Sequence, residues 1–266
     1  MRRSLLTPVF AAVGAALLMV FVLPVVFMIG KESPGTLWQT LREPPVRSAL
    51  LVSAGGAAVA TAIALVLGVP LGYLLARRRF PGRSLVQGMV DMPIVVPHTV
   101  AGIALLGVLG SRGPVGGPLS EVGIRFVDAF PGTVAAMLFL SAPFVINAAR
   151  SGFESVSPRL ENVSRSLGAG PWRTFFSVSL PLAGGPIVSG AVMCWARAVS
   201  EFGAVVILAY HPRVACTLIY DRFTGFGLSA SRPVAVLLIL LSLGLFVVLR
   251  VFAHRRAGPT GTVGDA

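Results

Sequence analysis

The stretch ALLVSAGGAAVATAIALVLGVPLGYLLA, residues 49–76, contains no charged side chain. A helix of about 20 apolar residues is long enough to cross the hydrocarbon layer of a bilayer. A continuous apolar run lacks the alternation typical of a barrel strand, so it predicts a helix. Its small residues, among them Gly68 and Gly72, permit close helix packing. The stretch therefore predicts an integral membrane protein built from helices.

Five further segments are long enough to span a membrane. With residues 49–76 they predict six transmembrane helices: Phe10–Ile29, Ala49–Ala76, Met89–Leu109, Gly132–Ala149, Ile187–Tyr210 and Pro233–Ala253. The chain is 55% hydrophobic and only 12% charged, whereas soluble domains carry about 25% charged residues. We expect one all-α transmembrane domain over residues 1–266, with a disordered tail at 257–266.

The first predicted span could also be the core of a signal peptide, because Arg2 and Arg3 precede it. The apolar run from Thr7 to Gly30 is too long for a typical signal core, and no small-x-small cleavage pattern closes it. We therefore favour a retained span.

The net charge of +12 would suggest a nucleic-acid partner in a soluble protein. When the N-terminus is placed inside, 13 of the 22 basic residues fall in inner segments and eight in outer ones, with Arg197 inside a span. Lysine and arginine concentrate on the cytoplasmic side of membrane proteins. The pattern predicts a multi-pass protein of the cytoplasmic membrane, in contact with lipid, with both termini in the cytoplasm and no nucleic-acid partner.

The inner loop at 150–186 is the longer of two long connections. Structureless loops beyond about 15 residues are uncommon in compact domains, so we expect structure within it. Ser157 followed by Pro158 is typical of a helix start, and Gly168 is placed to end that helix. These signals predict a short helix over Arg159–Leu167.

A second short helix is predicted over Trp172–Val178, after Gly170 and Pro171 and before Pro181, which should stop it. Its aromatic side chains share one helical face: Trp172, Phe175 and Phe176. An aromatic face in the cytosol needs to be covered, either by the inner ends of the spans or by a partner protein. The residues alone leave both possibilities open.

Aligned on Gly168, the loop reads Asn162-Val163-Ser164, three residues, Gly168, nine residues, then Val178-Ser179-Leu180-Pro181. This resembles the loop motif of ABC importer permeases: Glu-Ala-Ala, three residues, Gly, nine residues, then an aliphatic residue, any residue and Leu-Pro. The triplet is not kept, because Asn162 takes the Glu position and Glu161 lies one residue earlier.

The resemblance implies a type I ABC importer permease fold, whose cytoplasmic loop supplies a coupling helix at Gly170–Val178. It implies a separate ATPase subunit, a second copy of the permease and an extracytoplasmic substrate-binding protein as partners. The residues it assigns to ATPase docking are Glu161, Gly168, Gly170, Pro171, Trp172, Arg173, Phe175, Phe176, Leu180 and Pro181.

No catalytic or cofactor site is predicted in this chain. It has no Gly-rich loop ending in Lys-Ser or Lys-Thr, so ATP and magnesium should bind only to the partner ATPase and the chain should not be an enzyme. Two cysteines, Cys194 and Cys216, are too few for a metal site.

Two segments resemble molybdate/tungstate permeases more narrowly: Asp91–Ala104 is similar to their third core span and Trp195–Val206 to their fifth. Sulfate permeases carry a similar segment, usually with Gly where Ser200 stands, and Tyr210-His211-Pro212 favours the molybdate/tungstate branch. The resemblance implies oxyanion import, with sulfate or another oxyanion as the alternative. A secondary transporter or channel without an ATPase would predict two related halves, and no clear internal repeat is visible.

Arg197 and Glu201 lie four residues apart in the fifth predicted span, so their side chains can pair. A charged side chain at this depth costs about 2.5–3.5 kcal/mol unless it is paired or faces water. The pair is either structural, or it lines the pathway or gate. In the second case Arg197 would attract a dianion, and Glu201 would keep it from binding too tightly.

Asp91, His98 and Thr99 flank two prolines, Pro93 and Pro97, where the third span should kink or break. A break frees backbone N–H groups that suit an oxyanion, so we assign these three residues to the pathway or gate. The alternatives are that Asp91 lies at the membrane surface and that His98 bonds a neighbouring helix.

Overall fold

The computed structural model of the chain describes residues 6–256, which form helices and contain no strand. The predicted disordered tail at 257–266 and the basic residues Arg2 and Arg3 lie outside the described residues. The helices in chain order are α1 (Leu6–Gly30), α2 (Pro34–Arg42), α3 (Pro44–Arg77), α4 (Arg83–Val95), α5 (His98–Leu109), α6 (Gly116–Glu121), α7 (Phe130–Ser155), α8 (Pro158–Ser166), α9 (Pro171–Thr174), a π-helical turn (Phe175–Ser179), α10 (Leu180–Leu182), α11 (Gly184–Val199), α12 (Gly203–Leu208), α13 (Ala215–Phe226) and α14 (Leu228–Arg256).

Four of these helices are long and apolar enough to cross a membrane alone: α1, α3, α7 and α14. Two bent pairs would bring the number of candidate spans to six. The pair α4–α5 is bent by 115°, and the segment Pro171–Leu182 is bent by 69° against α11. The described residues therefore hold four continuous candidate spans, or six if each bent pair is one span.

The predicted third span, Met89–Leu109, is broken between α4 and α5. Val96 is extended, with φ −67° and ψ 129°, as expected for a residue before proline. The break confirms the expectation drawn from the two prolines and assigns it to Pro97, whereas Pro93 stays inside α4.

The predicted fifth span, Ile187–Tyr210, was wrong as one continuous helix. Helix α11 ends at Val199, and α12 starts at Gly203. A Cβ on Gly203 would lie 2.7 Å from the Cβ of His98, so α12 crosses the start of α5 at a distance that only glycine allows. This crossing of two broken helices joins residues that are distant in sequence, so a hydropathy pattern cannot predict it.

The core lies between α3, α7 and α11. A Cβ on Gly72 would lie 2.8 Å from the Cβ of Ala149, and one on Gly68 would lie 2.9 Å from Ile146, so the small residues do bring α3 and α7 close together. Helix α1 is the opposite case, since none of its residues is buried.

The inner loop begins as predicted. Helix α8 covers Pro158–Ser166 with Ser157 at its N-cap position, although the Ser157 side chain makes no capping hydrogen bond. Gly168 has φ +85°; its N–H bonds to the Arg165 carbonyl at 2.9 Å, and the next N–H bonds to the Ser164 carbonyl at 3.1 Å. This pair of bonds is a Schellman motif, which explains the glycine.

The second loop helix is longer than predicted, and Pro181 does not stop it. After α9 the chain makes a π-helical turn, in which the Leu180 N–H bonds to the Phe175 carbonyl, and continues as α10 to Leu182. Pro181 falls in the first turn of α10, where its missing N–H costs nothing. The wider turn is what accommodates the proline.

Candidate functional sites

Glu161, one of the predicted docking residues, points into the loop. Its side chain is 5% exposed, and its Oε1 accepts hydrogen bonds from Arg77 Nε at 2.9 Å and from Ser179 Oγ at 2.8 Å. Arg77 also donates from Nη2 to the Val156 carbonyl at 2.9 Å. Charge-assisted bonds of this length are strong, so Glu161 ties α8 and the π-helical turn to the end of α3.

The three loop aromatics divide into two groups. Phe175 packs edge-to-face on Tyr73, with ring centroids 5.0 Å apart, and lies 5.9 Å from the Phe153 ring. Trp172 and Phe176 stack on each other but remain 76% and 58% exposed. The ends of α3 and α7 therefore cover Phe175 and leave the Trp172–Phe176 pair largely exposed.

The remaining predicted docking residues differ in exposure. Leu180 packs against the core, whereas five others are exposed: Gly168, Gly170, Pro171, Arg173 and Pro181. The structure adds an apolar stripe along α8 that sequence reasoning missed, formed by Leu160, Val163 and the C-cap residue Leu167, the last 83% exposed. Their spacing of three and four residues is the helical signal that could have found it. We call these three residues the α8 stripe.

A second constellation lies where spans three and five are broken. Arg197 Nη2 is 2.8 Å from Glu201 Oε2, which confirms the predicted pair. Sequence reasoning did not join His98 to this pair, but its Nε2 is 2.8 Å from Arg197 Nη2 and its Nδ1 is 3.6 Å from Glu201 Oε2. We call these three residues the charged cluster.

The charged cluster is partly exposed. The Glu201 side chain is fully buried, that of Arg197 is 22% exposed and that of His98 is 47% exposed. Glu201 lies in the break after α11, and its Oε1 accepts the Ala204 N–H at 2.9 Å. The carboxylate thus caps the start of α12 while it pairs with Arg197, so the accessible edge of the cluster carries the cationic and imidazole groups.

The N-terminus of α5 adds donors to this edge. The helix begins at His98 with no capping side chain, and the N–H groups of His98, Thr99 and Val100 have no acceptor among residues 6–256. Such N–H groups, together with the helix dipole, favour an anion. The predicted break therefore does free backbone donors, beside the exposed side of Arg197.

Asp91 belongs to a different polar group. Its two carboxylate oxygens accept hydrogen bonds from Gln87 Nε2 at 2.8 Å and from Asn147 Nδ2 at 2.7 Å. Arg150 donates from Nη1 to Gln87 Oε1 at 2.8 Å. These contacts join α4 to α7 and include neither His98 nor Thr99. Gln87 was missed, although its four-residue spacing from Asp91 was the available signal.

Comparison with known proteins shows that the chain is similar to membrane permeases of transport systems. The family model of the binding-protein-dependent transport system inner membrane component matches residues 68–258. The molybdate/tungstate transport system permease protein WtpB of Thermococcus kodakarensis is 47% identical over 96% of this chain and 99% of its own length. The sulfate transport system permease protein CysT of Escherichia coli is 29% identical over 95% of each chain.

Solved structures support the same fold. A chain in the crystal structure of a bacterial ABC transporter involved in alginate import superposes with a TM-score of 0.70 at 18% identity, over 96% of both chains. A chain of an inward-facing methionine ABC transporter gives a TM-score of 0.65, also at 18% identity, over 85% of this chain and 99% of that one. The protein is a multi-pass membrane protein that belongs to the family of binding-protein-dependent transport system inner membrane components.

Proposed function

We propose that this chain is the permease subunit of an ATP-driven importer that passes molybdate or tungstate across the cytoplasmic membrane. The observation that carries this proposal is the identity of 42–47% to proteins named molybdate/tungstate permeases, over at least 91% of this chain. The sulfate permeases among its relatives are more distant, at 29–30%. A transport subunit of this kind is not itself the enzyme, and ATP and magnesium belong to the partner.

The inner loop is the proposed docking site for that ATPase. Its exposed Trp172–Phe176 pair and the α8 stripe form an apolar surface that a partner would cover. Movement of the ATPase would pass through α9 and the π-helical turn, because Glu161 bonds this turn to α3 through Ser179 and Arg77. The loop is thus attached to a membrane span by hydrogen bonds and can transmit force to it.

We place the oxyanion-binding position of the pathway at the charged cluster. The pathway would be a pore formed by two copies of the chain. Arg197 and the free N–H groups of α5 would attract a dianion. Glu201 would limit how tightly Arg197 holds it, since the two are already paired at 2.8 Å. ATP binding to the partner would shift the pore between an inward-open and an outward-open state. This shift is possible only because ATP binds with different affinity when the pore is in each of the two states.

The proposed orientation places both termini and the inner loop in the cytoplasm. An extracytoplasmic binding protein would then deliver the oxyanion to the opposite face, formed by α2, α6 and the loop that precedes α13. The Asp91 group would lie on the cytoplasmic side of the charged cluster, where it joins α4 to α7 and would act as a gate.

Uptake by the reconstituted complex tests the proposal. The proteoliposomes contain two permease copies and the ATPase, with the binding protein supplied outside. They should accumulate radiolabelled molybdate only when ATP is enclosed in the lumen, where the ATPase faces it. Unlabelled molybdate and tungstate should compete strongly, and sulfate weakly. Equal competition by sulfate would favour the sulfate alternative, whereas uptake without the ATPase would contradict the proposed class of transporter.

A further inference from the structure

A cavity of about 340 Å³ lies between the inner end of α3 and the loop helices. Its walls include Pro70, Tyr73 and Leu74 of α3 and the ring of Trp172, and two arginines face it, Arg78 and Arg165. We call it the arginine pocket. The combination of an apolar wall with two cations is unusual for a packing defect and points to an amphipathic occupant.

The positive charge of the arginine pocket is not neutralised. Arg78 is exposed and has no ion-pair partner among residues 6–256. Arg165 is half exposed and reaches only Glu161 Oε2, at 3.6 Å, while the other oxygen of Glu161 is held by Arg77 and Ser179. One carboxylate is therefore shared between two arginines, and Arg78 is left for an external anion.

The apolar wall continues along the outside of α3. Val66, Pro70 and Leu74 follow one another at four-residue intervals, which places them on one side of the helix. Arg78 is the extended residue directly after the end of α3. Val66 is 71% exposed and Leu74 is 49% exposed. From Val66 to the end of α3 the rise is about 17 Å, close to the thickness of the hydrocarbon in one leaflet, about 15 Å.

From this arrangement we propose that the arginine pocket binds an anionic phospholipid of the inner leaflet. Its phosphate lies between Arg78 and Arg165, and an acyl chain follows the Val66–Leu74 face of α3. A basic pocket at the cytoplasmic side of a helix bundle suits an acidic head group, and a tryptophan such as Trp172 favours the interface. The apolar wall selects a lipid over a small inorganic anion, which would leave it bare.

The proposal rests on the cytoplasmic placement of the loop but not on the identity of the transported anion. Lipid occupancy is measured without any transport, so loss of uptake and loss of lipid binding are separate results. Bound lipid would also link the membrane to the docking loop, because Trp172 lines both the pocket and the exposed aromatic pair.

Native mass spectrometry of the full chain, in micelles that contain phosphatidylglycerol and phosphatidylcholine in equal amounts, tests the proposal. The unmodified chain should retain phosphatidylglycerol preferentially. Arg78→Gln should reduce this preference about fivefold, since one basic residue near an anionic surface contributes about 1 kcal/mol to binding; adding Arg165→Gln should abolish it. Arg79→Gln is the matched control, because Arg79 is adjacent and exposed but does not line the pocket.

Three results would overturn the proposal. The first is that the double variant keeps its preference for phosphatidylglycerol, and the second is that inorganic phosphate displaces the bound species as readily as phosphatidylglycerol does. Alternatively, addition of the ATPase could expel the lipid, which would assign the pocket to the ATPase interface. Arg78→Gln removes no internal ion pair, so a folded variant remains available if the double variant is unstable.

Discussion

At the scale of single residues, the inner loop depends on one buried carboxylate. Glu161 collects bonds from Arg77 and Ser179, which belong to a membrane span and to the π-helical turn. A buried charge that loses its partner is costly, so this position should matter more for stability than any exposed ion pair. Glu154, paired with Arg83 at 3.2 Å on the exposed side of the chain, provides the comparison.

We expect Glu161→Gln to destabilise the chain by about 2–4 kcal/mol, because it leaves the Arg77 guanidinium without its counter-charge. Glu154→Gln should cost no more than about 1 kcal/mol, as is usual for an exposed pair. Thermal or denaturant unfolding in detergent measures both. Equal destabilisation by the two substitutions would show that Glu161 does not hold the loop.

Gly203 is the second residue with a single structural requirement, since a side chain there would meet His98. Gly203→Ala should push the start of α5 away from α12 and disturb the charged cluster, and we expect molybdate uptake to fall at least about tenfold, as for a misplacement near 1 Å at an active site. Gly107→Ala is the control, because Gly107 lies on α5 with His98 and its added Cβ would have nothing within 4 Å. Unchanged uptake by Gly203→Ala would show that transport does not require the geometry of the charged cluster.

At the scale of elements, the spans that carry the polar residues are the ones that break. Helices α5 and α12 both start inside the predicted spans, and each begins beside the charged cluster. The first N–H groups of α5 remain free, whereas the Ala204 N–H in the first turn of α12 is capped by Glu201. The inner loop shows the opposite outcome at a proline. Its π-helical turn accommodates Pro181, so the helix continues to Leu182.

The turn between α8 and α9 allows a matched test. Gly168 and Gly170 are both exposed with nothing within 4 Å of an added Cβ, but only Gly168 has a positive φ, of +85°. Gly168→Ala should therefore cost about 1–2 kcal/mol of local strain and weaken ATPase binding, while Gly170→Ala should leave it unchanged. Co-purification of the ATPase with each variant is the measurement. Equal ATPase retention by both variants would remove the proposed docking role of this turn.

At the scale of the whole molecule, the bundle has a tight centre and a loosely attached first helix. Helices α3, α7 and α11 form the core, whereas α1 has no buried residue and its end is held near α14 by the ion pair of Glu32 with Arg232. An apolar helix with no buried residue is stable only in lipid or against another subunit. The charged and exposed loops at the two ends of the bundle should therefore face opposite compartments.

This orientation can be tested with single cysteines in a chain whose Cys194 and Cys216 are replaced by serine. A cysteine at Glu154, at the inner end of α7, should react with a membrane-impermeant maleimide only after the cells are permeabilised. A cysteine at Glu121, which is exposed at the end of α6, should react in intact cells. The reverse pattern would invert the proposed topology and place the docking loop outside.

The sequence by itself determined the membrane class, the approximate span positions, a break near Pro93 and Pro97, the turn at Gly168 and the Arg197–Glu201 pair. Each of these depends on local chemistry: apolar length, proline and glycine geometry, and four-residue spacing. Only the tertiary structure decided that His98 joins this pair, that Phe175 is covered while Trp172 is not, and that the fifth span is interrupted at Ser200–Phe202. Those features arise where helices distant in sequence approach each other, as Gly203 approaches His98, and no local pattern encodes such a contact.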